Sequence, residues 1–149
     1  MRDIDVCFDD IVGARADYAA ALREIERAVW AQELVSPVVL ELCRLRIAQI
    51  LGCATALEHR TPQAVTAGLD EALIEALPSW PTAPCFDRPI RDCLGYAEQL
   101  LIDAQGVDDD QARGVIEALG EGGFLVLTYA CGLFETTQRA RILLNATRW

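Results

Sequence analysis

Within the twenty residues from Glu41 to Arg60, three side chains have the chemistry to move protons and electrons: Glu41, Cys53 and His59. His59 is the only histidine of the chain. Cys53 directly follows Gly52, which ends a long apolar stretch, and a new helix is expected to begin at the cysteine. The unpaired N–H groups of a helix start favour a thiolate, so this position suits a nucleophile. Glu41 lies inside the apolar stretch, where a lone carboxylate is expensive. It either pairs with Arg44 one turn on or stands as a desolvated carboxyl of raised pKa that exchanges protons with a thiol or substrate. His59 completes an acid/base, nucleophile and proton-shuttle set, and the adjacent Arg60 is suited to hold a substrate carboxylate. Each residue also has a plain alternative: a small buried cysteine, a structural ion pair, an exposed histidine beside a kink.

The elements that must position this stretch all read as helices. Ser36-Pro37 offers an N-cap followed by proline at the first helical position, and residues 37–51 are apolar nearly all round, which predicts a central helix. Before it, 14–34 carries Tyr18, Leu22, Ile25, Val29 and Trp30 at three- and four-residue spacing, with Arg23, Glu24, Glu26 and Arg27 on the wet side. After it, a helix is expected over 53–67 with a kink or restart at Thr61-Pro62, then a short one from Asp70 to Leu77. Pro78, Pro81 and Pro84 enforce an irregular connection beside Trp80. Further helices are predicted over 89–104, 108–119 and 124–145, with Gly120-Glu121-Gly122-Gly123 as a turn. Nothing reads as a strand. The expectation is an all-α, single-domain bundle of six or seven helices spanning 14–149, preceded by an acidic segment over 1–13.

Composition narrows the function classes. All 13 basic residues are arginine, so no side-chain amine is present for Schiff-base chemistry. A formal net charge of −10 argues against nucleic acid as a partner. No apolar leader follows Met1, and the longest apolar run, 124–134, falls short of the ~18 residues that span a bilayer, so a cytoplasmic protein without a membrane partner is expected. Six scattered cysteines with one histidine and no Cys-x-x-Cys pair predict reduced thiols and no metal or other cofactor.

The spacing Glu41-x11-Cys53, with Arg44-Leu45-Arg46 and Gly52-Cys53 between, resembles the carboxymuconolactone decarboxylase superfamily, including its alkylhydroperoxidase D-like members. His59 to Glu71, the Cys93-Leu94-Gly95-Tyr96-Ala97-Glu98 helix and the closing helix 124–144 with Arg139 are similar to the same family, so the likeness runs over most of the chain from residue 15. The redox members carry Cys-x-x-Cys followed by a histidine seven residues after the first cysteine. Here Ala56 stands at the second cysteine position and Arg60 at the histidine position, with His59 one residue early, about 100° away around an ideal helix. The resemblance implies a peroxiredoxin-type antioxidant protein that reduces hydroperoxides, here through the single thiol Cys53. Its alternatives are a carboxy-lyase acting on a small organic acid, or a non-catalytic binding or assembly module of the same fold. It further implies a homo-oligomer, trimer or hexamer.

Overall fold

The computed structural model describes residues 15–144, so the expected N-terminal segment 1–13 and the extreme C-terminus lie outside the described residues. Within them the chain is all-α, with no strand. Helix α1 runs Ala16–Ala31, α2 Pro37–Leu51, α3 Ala54–Glu58, α4 Pro62–Thr66, α5 Glu71–Ala76, α6 Arg88–Ile102 and α7 Asp109–Leu143.

The centre is α2. The Ser36 hydroxyl accepts from the Val38 N–H, and Pro37 occupies the first turn, where its missing N–H costs nothing. The far end closes on Gly52, whose φ of 70° is the left-handed conformation that glycine adopts without strain. The Cys53 N–H then reaches back to the Ala48 carbonyl at 3.0 Å, which ties the next residue to the end of α2. Leu40, Leu42, Cys43, Leu45, Ile47 and Ala48 are all fully buried, as near-uniform apolarity requires of a helix packed on several sides. Its neighbours are α6, which contributes Cys93, Leu94, Tyr96 and Ala97, and α7, which contributes Val115, Leu127, Ala130, Cys131 and Phe134.

The restart expected at Thr61-Pro62 is present: α3 and α4 are two five-residue helices separated by non-helical residues 59–61. Pro62 disfavours helical backbone at Thr61, and the carbonyls of Ala56 and His59 are drawn to the Arg44 side chain. The turn expected at 120–123 is a single kink: Gly120 alone leaves the helical region, at φ 74°, and helical backbone resumes at once. The resulting 35-residue α7 is long and apolar enough to cross a bilayer by length and composition, although its longest apolar run is short. In this fold Leu127, Ala130, Cys131 and Phe134 of that helix belong to the core shared with α2 and α6.

Helix α1 also departs from its predicted orientation. Tyr18 and Ile25 are more than half exposed, and the inward stripe is Ala19, Leu22 and Trp30, with Trp30 packed on Phe134 at 5.7 Å between ring centroids. That rotation carries Arg23, Glu26 and Arg27, expected on the wet side, to the edge of a pocket.

Candidate functional site

Glu41 and Arg44 are one turn apart on α2, and both side chains are withdrawn from solvent. The guanidinium grips the carboxylate with two bonds, Nε to Oε2 at 2.8 Å and Nη2 to Oε1 at 2.7 Å. Thr61 supplies two more: its backbone N–H donates to Oε1 at 3.1 Å and its hydroxyl to Oε2 at 2.6 Å. Arg44 in turn donates to the Ala56 carbonyl at 3.0 Å and the His59 carbonyl at 2.8 Å. This network staples the 56–61 segment to the central helix.

The network decides the state of Glu41. Burial pushes its carboxyl up, but the Arg44 hydrogen bonds and charge, together with the two Thr61 bonds, outweigh burial and hold it below the ordinary value. The raised pKa expected of a proton-transferring carboxyl is therefore corrected: Glu41 is an ionised partner whose two oxygens are both engaged. Each satisfied bond makes the carboxylate a poorer proton acceptor.

His59 follows the staple directly. Its backbone is extended, at φ −83° and ψ 143°, and its half-buried side chain lines a pocket of about 470 Å³ between α1, residues 59–63 and the last turns of α7. Ala19, Leu22, Trp30, Leu133 and Phe134 make an apolar wall there. Arg44, Thr61, Gln138 and Arg141 supply buried polar groups, and Arg23, Glu26 and Arg27 form an exposed rim. Burial, then the Arg44 charge, press the imidazole pKa below its usual value; Glu41 opposes them, and Arg141 and Arg60 add to the lowering. A histidine so placed is neutral near pH 7 and presents a basic nitrogen in a positive field.

The other two expected residues lie elsewhere. Cys53 is 2% exposed and packs in a small cluster with Ala48, Ala56 and Leu57; its Sγ is 3.7 Å from the Thr55 hydroxyl, and it does not line the pocket. The helix it precedes is only five residues long, too short to build much of a macrodipole. Arg60 does not line the pocket either. It pairs with Glu71 at 2.9 Å and donates to the carbonyls of Leu57 and His59, so the carboxylate it holds is Glu71 of this chain. Arg139 on the closing helix forms an ion pair with Glu135 along the same helix.

Sequence reasoning missed Arg23, Arg27, Gln138 and Arg141. A signal for the last two was available: Phe134, Gln138 and Arg141 follow one another at four- and three-residue spacing, which puts two polar residues on an apolar helical face. Among the described residues no group of three metal-ligating side chains is placed to hold a metal ion.

No curated protein matches the chain's sequence. A crystal structure of a protein of unknown function from Agrobacterium tumefaciens, provisionally assigned to antioxidant defence as AhpD, superimposes with a TM-score of 0.81 over 93% of this chain and 95% of its own, at 21% sequence identity. The two share the all-α fold. The family model for the carboxymuconolactone decarboxylase family matches residues 16–99, which takes in α1, the α2 staple, His59 and most of α6. The chain belongs to the carboxymuconolactone decarboxylase family.

Proposed function

We propose that this protein binds a small organic acid in the pocket lined by His59 and passes a proton between the imidazole and the acid. The observation that carries the proposal is the convergence of a neutral histidine, the Arg141 cation and an apolar wall on one cavity from which Cys53 is absent. A carboxylate entering the pocket meets Arg23 and Arg27 at the rim and Arg141 further in, with Arg44 already paired to Glu41 and Glu26 as the one acid among the described lining residues. Its hydrocarbon part has Leu22, Trp30 and Phe134 to pack against.

This arrangement suits carboxy-lyase chemistry. The carbon–carboxylate bond breaks, carbon dioxide leaves, and the electron pair stays on the substrate carbon, conjugated with a neighbouring carbonyl group. The nearby cations stabilise that developing anion. The carbon then takes the ring N–H proton of the neutral His59 imidazole, and water restores that proton while its hydroxide joins the released carbon dioxide as bicarbonate. Calorimetric titration with a panel of keto, lactone and aryl-alkyl carboxylates, with NMR detection of deuterium incorporated from solvent at the carbon bearing the carboxyl, tests the proposal. Binding is expected, with incorporation that His59→Ala abolishes. A panel in which no acid binds would refute it.

A second reading is favoured by the fold shared with the protein provisionally assigned to antioxidant defence, together with the fixed place of Cys53 beside the Thr55 hydroxyl. In that reading the Cys53 thiol attacks the outer oxygen of a hydroperoxide, giving the alcohol and a sulfenic acid. One external thiol converts the sulfenic acid to a mixed disulfide and water, and a second restores the cysteine. The 2% exposure of Cys53 requires the short α3 to open first. Thiol-dependent peroxide consumption that Cys53→Ser eliminates would support this reading over the first.

A further inference from the structure

The pocket is bordered by a buried amide oxygen that no described residue complements. Gln138, on α7, is 1% exposed and lines the pocket beside Arg44, His59 and Arg141. Its Nε2 donates to the Arg44 backbone carbonyl at 3.0 Å, which fixes the orientation of the amide, since the reverse would bring two oxygens together. The remaining oxygen, Oε1, is buried and has no hydrogen-bond partner among the described residues. Buried polar atoms are nearly always paired, and an unpaired acceptor at a ligand pocket is unlike the surrounding cations in what it selects. The arginines and the imidazole attract carboxylate oxygens, whereas an amide oxygen repels them and accepts only from an O–H or N–H. An ammonium group is disfavoured beside Arg44 and Arg141, which leaves a neutral donor.

We infer that Gln138 is a specificity-determining residue whose Oε1 accepts a hydrogen bond from a ligand hydroxyl, so that the pocket selects hydroxy acids with an apolar tail over the corresponding simple acids. The inference rests on the acid-binding reading and sharpens it to a substrate class. A site built to pair with a hydroxyl discriminates strongly against the analogue lacking it, because the protein acceptor is then left unpaired.

The test compares ligands with the unmodified protein by calorimetry. The probes are 3-phenylpropionate, its 2-hydroxy and 3-hydroxy derivatives, and the O-methyl ethers of both. At least one hydroxy acid is expected to bind tenfold or more tightly than 3-phenylpropionate. Its methyl ether, which keeps the oxygen but loses the donor, is expected to lose that gain. In Gln138→Met, which keeps the length of the side chain and replaces the amide oxygen by a weakly accepting thioether, the ratio of hydroxy-acid to simple-acid affinity should fall below threefold. The ligand series on the unmodified protein stands even if that variant folds poorly. Equal binding of the hydroxy and simple acids would overturn the inference and leave acid binding intact. A hydroxyl preference that persists in Gln138→Met would remove Gln138 from the role. Failure of every probe to bind would overturn both the inference and the acid-binding reading on which it rests.

Discussion

Replacing Glu41 by glutamine is the most direct way to separate a proton-transfer role from a structural one. The substitution keeps the shape and one acceptor oxygen but removes the negative charge that compensates Arg44, which is 2% exposed. Four hydrogen bonds end on the two Glu41 oxygens, two from Arg44 and two from Thr61. A glutamine oxygen can retain the pair on one side, and its NH₂ group then faces donors on the other. Removing one partner of a buried ion pair costs about 3–5 kcal/mol, much of it the penalty of an uncompensated buried charge. Because Gln keeps part of the network, about 3 kcal/mol is expected. For a chain of this size each kcal/mol lowers the melting temperature by roughly 2–4 °C, so the fall should be close to ~9 °C. Pairing the change with Arg44→Met removes the stranded charge, so the double variant should lose less than the sum of the two single losses. Amide exchange at Thr61, whose N–H is bonded only to the Glu41 side chain, should accelerate in Glu41→Gln before global unfolding. A melting temperature within about 2 °C of wild type, accompanied by a large loss of any turnover, would refute this reasoning and identify Glu41 as a proton-transfer group.

Stability should fall with acid in two stages. The folded His59 imidazole titrates below its unfolded value of 6.5, so the unfolded chain gains the proton first and stability declines as pH drops below that value; His59→Gln should remove this stage from urea titrations. Glu41 is held below its ordinary value, so its stabilisation is complete above about pH 4.3 and is lost as pH falls through the folded pKa; Glu41→Gln should flatten that second stage. Brief iodoacetamide treatment of the native protein should label the exposed Cys85 well before Cys43, Cys53 and Cys93, which are at most 2% exposed; a Cys53 labelled as fast as Cys85 would favour the hydroperoxide reading. The chain should self-associate, read as a mass above 16.4 kDa by light scattering: α2 spends its apolarity inside the chain, but Leu125 and Tyr129 of α7 are 57% and 73% exposed.

The sequence alone determined the all-helical architecture and the central place of 37–51, because periodicity, caps and breakers act locally. Ser36-Pro37, Gly52 and the Asp108 capping box are all legible without a partner in space. It also identified Glu41 and His59 as residues requiring explanation, since an acid inside an apolar helix and a lone histidine are conspicuous in any window. The tertiary structure decided what surrounds them. Sequence offered Arg44 as a possible partner of Glu41, but the two bonds from Thr61, twenty residues away, cannot be read from helical spacing, and they convert a candidate proton carrier into a staple. The break at Thr61-Pro62 was legible from the proline, but the extended backbone that already begins at His59 goes with the staple to Arg44. The pocket depends on how α1 rotates against α7, an orientation fixed where Trp30 packs on Phe134, and no local signal carries it. For the same reason Cys53 packs in a separate cluster outside the pocket lining while Gln138, more than ninety residues further along the chain than Arg44, came to border the pocket. Contacts of that sequence separation are set by how whole helices pack, and only the folded chain displays them.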